Sequence, residues 1–419
     1  MKMDIRYGRD GSVPLEIPDA NLAGVLKPNP VAGGDAGELL RRALEQPVGG
    51  PPLERFVAEA RDLLVLVNDA TRPTPTARVL DEILPLLERR PLKFLVATGI
   101  HRAPSEDELR QMFGRHLESL RERISVHDAR REQDMVLLGR SRNGTEMRVN
   151  RLGVEADRIV IISSVEPHYF AGYTGGRKSF LPGIAAFATI EQNHRLALRP
   201  EAQALRLAGN PVHEDMVDAL GTVRKEIFAV NTVLDGAHRL VGVAAGDINR
   251  SLEQAARLAD RVFSVPVEAP ADIVVAEVKF PADIDLYQSQ KGIDNAKLAL
   301  ADGGILILVS ACRQGVGEEA FVKLLSSADT PEQVLEKISG EYRLGFHKAG
   351  KMAEVFCRAR VWAVSDLQPE VLESIFIAPQ PSVQQALDRA LAEKGTGARV
   401  LVLQDASLTV PRLEPAAAG

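Results

Sequence analysis

The sequence predicts an α/β protein: two α/β domains with mainly parallel sheets and an active site in the cleft between them. Three observations carry this. Apolar runs such as "LLVLVND" (63–69), "LKFLVATG" (92–99) and "RIVIISSV" (158–165) are continuous rather than alternating, as in parallel strands buried on both faces. Helical patterns lie between these runs. The 419 residues exceed one ordinary core, and composition breaks at "VPVEAPA" (265–271). The expected division is 1–268, a cofactor-binding and catalytic domain, and 269–407, a smaller domain closing over the substrate. The tail 408–419 is expected to pack back on the first domain.

In chain order, "ARVLDEILPLLERR" (77–90) has helical spacing. "SEDELRQMF" (105–113) reads as a helix with Ser105 as N-cap and Glu108 completing a capping box. "RISVHD" is a strand, and "AAFATIEQNHRLAL" (185–198) a helix. Past the break come "DIVVAEV", a helix near 288–301, "GILILVS", helices within 317–356, "RVWAVSD", a helix near 381–393 and "RVLVLQD". This is a smaller doubly wound series.

Composition narrows the function classes. A net charge of −6 argues against a nucleic-acid binder that relies on neutralising phosphates. Two cysteines, Cys312 and Cys357, exclude a disulfide framework and argue against a cysteine-based metal cluster. The start has no apolar signal core and no run is long enough to span a bilayer, so the expectation is a cytoplasmic protein without membrane attachment. Nothing in the chain specifies an oligomeric state.

Open α/β sheets bind ligands at the carboxyl ends of their strands, so the strand-ending loops are the informative ones. In "NDATRPTPT" (68–76), Thr74 before Pro75 fits an N-cap whose free amides form an anion site, with Asp69, Thr71 and Arg72 beside it. The bland reading is a capped loop with a surface ion pair. "ATGIHRAPS" puts His101 just past a strand, where an imidazole suits proton transfer. "SSVEPHYFAGYTGGRKS" puts His168 ten positions before Lys178. Two histidines at separate strand ends could face one carbon centre from two sides; two unrelated surface histidines is the competing account.

"GYTGGRKS" (172–179) looks like a phosphate loop with one wrong residue. Gly172, Lys178 and Ser179 keep the register of G-x-x-x-x-G-K-[ST], but Arg177 replaces the last glycine. Pro182 and Gly183 follow within a turn, and proline at that depth would break the helix such a loop must open. A triphosphate site therefore fails. Gly175 and Gly176 still offer amides or close approach to a ligand. Lys178 beside Arg177 becomes a candidate nucleophile or covalent anchor, or a plain phosphate counter-charge. His194 on the next helix is a lone imidazole without second-ligand spacing, so a protein-only zinc site is not expected. In the second domain Tyr287, Gln288 and Lys291 open a helix. Gln288 and Lys291 share a face that suits a carboxylate. "LGFHKAGK" (344–351) adds His347 and Lys348.

Together, "DATRPTP", "TGIHR", "EPHYFAGYTGGRKSFLPGIA", "TIEQNH" and "YQSQKG" resemble the nickel-dependent lactate racemase family, which includes other 2-hydroxyacid racemases and epimerases. Their order covers most of 65–300. The resemblance implies a nickel pincer nucleotide, a pyridinium mononucleotide with two sulfur-bearing groups, attached through a thioamide to Lys178. It implies nickel held by the cofactor and by His194, and His101 and His168 as the two catalytic histidines. It implies Arg72, Gln288 and Lys291 as substrate contacts. On the helix-terminus and glycine-loop arguments above, Asp69, Thr71, Thr74, Gly175 and Gly176, with Tyr287, are expected around the cofactor. Hydride would leave the hydroxyl-bearing carbon, pass through a 2-keto acid stage and return to the opposite face. The partners implied are a small 2-hydroxyacid and cofactor-assembly enzymes. One departure stands out. Lactate-specific members carry a tryptophan near the position of "LGFHKAGK", whereas the single tryptophan here, Trp362, lies in an apparent strand. His347 and Lys348 offer positive charge instead, which suits malate or another polar hydroxyacid. The competing function is a phosphate- or nucleotide-binding protein using the 172–179 loop without redox chemistry. An NAD-dependent dehydrogenase would need G-x-G-x-x-G after a strand, and none occurs.

Overall fold

The computed structural model describes residues 1–414. The chain forms two compact α/β units. One is Pro30–Val262; the other joins Met1–Asn29 to the chain from Phe263 onward. This differs from the division expected from sequence, where residues 1–268 form one domain. The reason is a strand pairing that composition cannot reveal: Leu22–Leu26 adds in parallel to Val400–Leu403. The expected tail also changes partner. Val410–Leu413 pairs with Ser264–Val267, inside the second unit. Residues 415–419 of that tail lie outside the described residues.

The Pro30–Val262 unit is built on six strands in the order Leu240–Gly246, Glu226–Leu234, Arg158–Ser164, Leu63–Asn68, Leu92–Ala97, Ile124–Val126. All neighbours run parallel except the first pair, which is antiparallel. The expected strands over 63–69, 92–99 and 158–165 are all present. Glu226–Leu234 is less legible because Asn231 and Thr232 interrupt its apolar run. Both are fully buried, and Asn231 is satisfied by Ser163, Ser251 and the Gly176 amide. From Leu63–Asn68 the chain adds strands on one side, then crosses to lay Arg158–Ser164 on the other. The gap between those two strands is the topological switch point, where open α/β sheets receive ligands.

Helix Thr76–Leu87 covers one face. Its N-cap is Pro75, with no side-chain cap, rather than Thr74 as the sequence suggests. The Thr74 hydroxyl is drawn instead to Asn68 Oδ1 at 2.8 Å and Ser164 Oγ at 3.0 Å. Helix Glu106–Phe113 starts with the Ser105–Glu108 capping box. It delivers Phe113 edge-on to Phe94, with centroids 5.8 Å apart at 83°.

The second unit repeats the design with six parallel strands: Ile377–Pro379, Arg360–Val364, Leu300–Val309, Ala271–Glu277, Val400–Leu403, Leu22–Leu26. Trp362 sits in one of them, packed with Ile307, Val364 and Leu387. No helix among the described residues is long and apolar enough to cross a membrane.

Phe94 is fully buried in the core of the first unit. Phe94→Ala should cost about 3–5 kcal/mol through lost burial and a residual cavity. A urea denaturation midpoint unchanged from wild type would contradict the packing.

Candidate active site

The carboxyl ends of three neighbouring strands carry a continuous line of polar groups. Asp69 ends the central strand and is buried. Its Oδ2 lies 2.7 Å from Nδ1 of His101, which follows the next strand. Its Oδ1 accepts from the Thr71 hydroxyl at 2.8 Å. A carboxylate only accepts, so His101 carries a proton on Nδ1, and in the neutral ring Nε2 holds the lone pair. Asp69 thus orients His101, and the Thr71 hydroxyl supports Asp69. Arg72 crosses the switch point: its Nη1 donates to Glu166 Oε1 at 2.8 Å, joining the ends of two strands. Both groups are mostly shielded, so this pair is screened less than a surface pair.

The 170–183 loop follows. It is a buried turn with a short 3₁₀ segment, Gly176–Ser179, rather than a helix start. Arg177 is its strut. The guanidinium is fully buried and donates to the carbonyls of Ala171 (2.7 Å), Tyr173 (2.8 Å), Gly175 (3.2 Å) and Thr174 (3.4 Å). Burial lowers its pKa to about 9, so it stays a cation at neutral pH. The two glycines expected to present amides to a ligand serve packing. A Cβ on Gly175 would sit 2.5 Å from Val165 Cγ2, and its φ is +81°. The Gly176 amide is spent on Asn231 Oδ1 at 3.0 Å and Ser163 Oγ at 3.3 Å.

Phe170 gathers the reactive groups. Its ring lies 4.5 Å from the His168 ring, 5.0 Å from the His194 ring and 5.5 Å from Lys178 Nζ. Lys178 Nζ lies 3.2 Å from His168 Nε2. The Ala171 backbone N–H donates to His168 Nδ1 at 3.3 Å. Nδ1 is therefore an acceptor, and the neutral ring must hold its proton on Nε2. Nε2–H then faces Nζ, which can only be the acceptor, an uncharged amine. Electrostatics agree. Burial, then the charges of Arg72 and Arg177, hold Lys178 well below the usual lysine range, although Glu166 opposes them. Burial, then Lys178, Arg72, His194 and Arg177, hold His168 well below the ordinary imidazole value.

His194 ends helix Phe187–His194 and is buried; its Nδ1 lies 3.3 Å from Asn193 Oδ1. Among the described residues no three His, Cys, Asp or Glu side chains gather in a way that could hold a metal ion. Glu166, Phe170 and Asn193 lie inside the motifs that carry the resemblance, yet the sequence assigns none of them a role.

In the second unit, Asp285 caps helix Leu286–Ala296, which carries Tyr287, Gln288 and Lys291. Lys348 differs from the exposed cation its motif suggests. It is buried, its Nζ donating to the Tyr287 carbonyl at 2.8 Å and lying 3.2 Å from the Tyr287 ring centroid. Burial, then Lys291, lower its pKa to about 7. His347 is also buried, with Nδ1 3.1 Å from the Tyr342 hydroxyl.

Comparison with known proteins fits this geometry. Residues 7–205 match the lactate racemase N-terminal domain and residues 267–410 the lactate racemase C-terminal domain. The chain is 30% identical over 427 residues to a lactate racemase of Thermoanaerobacterium thermosaccharolyticum, covering 98% of this chain and 99% of that one. It is 30% identical over 422 residues to a lactate racemase of Lactiplantibacillus plantarum, covering 96% and 98%. The structure of the lactate racemase apoprotein from T. thermosaccharolyticum superposes with a TM-score of 0.91, at 30% identity over 98% of this chain and all of that one. Two full-length relatives, both domain matches and a shared fold converge: the chain belongs to the lactate racemase family and is a racemase.

Proposed function

We propose that the protein racemises or epimerises a 2-hydroxyacid with the aid of a nickel pincer nucleotide tethered to Lys178, with His194 as the one protein ligand to nickel. One observation carries this: Lys178 Nζ lies 3.2 Å from His168 Nε2 while the Ala171 amide occupies Nδ1, an arrangement that favours a neutral amine. Burial, then Arg72 and Arg177, depress the pKa of Lys178, which favours a nucleophilic amine over a standing positive charge. It can be acylated, because the free amine is the nucleophile. The donor set fits as well. His194 offers one buried imidazole, and among the described residues no three His, Cys, Asp or Glu side chains gather to hold a metal, which suits a cofactor that brings its own sulfur ligands.

When bound, the nucleotide supplies a hydride acceptor for the hydroxyl-bearing carbon. The chain's own residues do the rest. His101, oriented by Asp69, takes the hydroxyl proton of one enantiomer at Nε2. To take it from the other, His168 must first exchange the Nε2 proton it holds in the unloaded protein for one on Nδ1, giving up its bond from the Ala171 amide; each histidine then returns a proton as the acid for the opposite hand. Arg72, positioned by Glu166, is assigned to the substrate carboxylate, and Gln288 and Lys291 are assigned as substrate contacts. Thr71, Thr74 and Tyr287 are assigned to the cofactor, while Gly175 and Gly176 shape the loop that carries Lys178. A substrate with a second carboxylate, such as malate, uses Lys348, because an anion beside that amine restores its charge.

Intact mass and metal analysis of protein made together with cofactor-assembly enzymes should show an adduct and nickel. Lys178→Met should remove both, and His194→Ala should keep the adduct while losing nickel; unmodified wild-type protein under those conditions would refute the reading. In the unloaded protein, an amine-acylating reagent should modify Lys178 near neutral pH. The sign follows from its depressed pKa: reactivity reaches its plateau at lower pH than for surface lysines, and peptide mapping across a pH series reads this directly. Over a hydroxyacid panel, malate should exceed lactate. Lys348→Met should raise KM for malate about tenfold or more and leave lactate unchanged, in line with losing a charged hydrogen bond of about 1.5–3 kcal/mol. The malate KM should also rise as pH passes about 7, where Lys348 loses its proton. Lactate as the best substrate would overturn the assignment.

A further inference from the structure

We infer that a buried relay, Asp215 to Asn193 to His194, fixes which nitrogen of His194 carries the proton and so presents Nε2 as the electron-pair donor. The tautomer follows from hydrogen bonds alone; its consequence for nickel rests on the function proposed above.

The argument starts at Asp215, fully buried on helix Pro211–Leu220. Three donors converge on its carboxylate: Ser141 Oγ at 2.5 Å, Thr145 Oγ1 at 2.8 Å and Asn193 Nδ2 at 2.8 Å. Ser141 and Thr145 flank the turn between strands Met135–Arg140 and Glu146–Asn150. With three donors facing it, the carboxylate is the acceptor in every bond. Asn193, also fully buried, must therefore turn its NH₂ group to Asp215. The same nitrogen donates to the Val212 carbonyl at 3.2 Å. Both amide protons are then committed to acceptors, which fixes the amide orientation. Oδ1 has to face the other way, and there it meets His194 Nδ1 at 3.3 Å. An amide oxygen cannot donate, so Nδ1 holds the proton. A neutral imidazole has only one, so the lone pair sits on Nε2.

Metal-binding imidazoles usually have their second nitrogen fixed in this way by a neighbouring acceptor, which sets both ring orientation and basicity. Asn193 and Asp215 are thus positioning residues. They couple the 141–145 turn and helix Pro211–Leu220 to the ligand at the end of helix Phe187–His194. Asn193 lies in "TIEQNH", whereas Asp215 lies outside the five motifs that carry the family resemblance.

The test is side-chain nitrogen NMR of the unloaded, isotope-labelled protein at a pH above the imidazole range, about 8.5. The His194 signals are assigned by their loss in His194→Gln. Wild type should show the Nδ1–H form. Asn193→Ala and the isosteric Asp215→Asn should both move His194 toward the Nε2–H form. In loaded protein they should weaken nickel retention about 10–100-fold while the Lys178 adduct mass persists. An Nε2–H wild type, or an unchanged tautomer in both folded variants, overturns the inference. If a variant fails to fold, the wild-type spectrum decides alone. Absence of any Lys178 adduct would refute the proposed function and leave the tautomer result standing.

Discussion

The site depends on one buried cation. Arg177 occupies the place where a phosphate loop has glycine, and its guanidinium fills the inside of the 171–177 turn. Taking a charge out of water costs several kcal/mol even after relaxation, on the order of the cost for a buried ion. Four carbonyls offset this, since hydrogen bonds to a charged donor contribute about 1.5–3 kcal/mol each. Without that strut the turn would have several carbonyls aimed at one another around an empty centre. With it, the two ends of the turn are tied together and Lys178 Nζ lies 5.5 Å from the Phe170 ring centroid.

The same cation shapes the chemistry. Lys178 and His168 lie in a region where Arg72 and Arg177 are charged and Glu166 is the acid that opposes them. A further positive charge there would be both desolvated and repelled. The cheapest state is a neutral histidine facing a neutral amine, which is also the state the Ala171 amide selects by occupying His168 Nδ1. Geometry and electrostatics thus reach the same protonation state independently. His101 stands in a different setting, half exposed and tied to the Asp69 carboxylate. The two histidines have their protons placed by different means: His101 on Nδ1 through a carboxylate, His168 on Nε2 through a backbone donor.

The sequence alone determined the fold class, because continuous apolar runs separated by helical patterns have few other solutions. It also determined which loops carry chemistry, since strand ends can be read from the same pattern. It could not assign the first 29 residues, whose strand Leu22–Leu26 reaches its sheet only through pairing with Val400–Leu403. It read Thr74 as a cap where the structure has Pro75, and it could not show that Gly175 is closely packed or that the Gly176 amide already has a partner. Side-chain and amide partners are chosen by neighbours distant in sequence, here Ser164, Asn231 and Val165. Lys348 shows the same limit: its motif promises a charge, and burial against Tyr287 takes much of that charge away. Residue identity fixes which groups are capable of chemistry. Only the tertiary structure decides which of them are charged, which nitrogen holds a proton and which amide is already spent, because each of those is a property of the surroundings rather than of the residue.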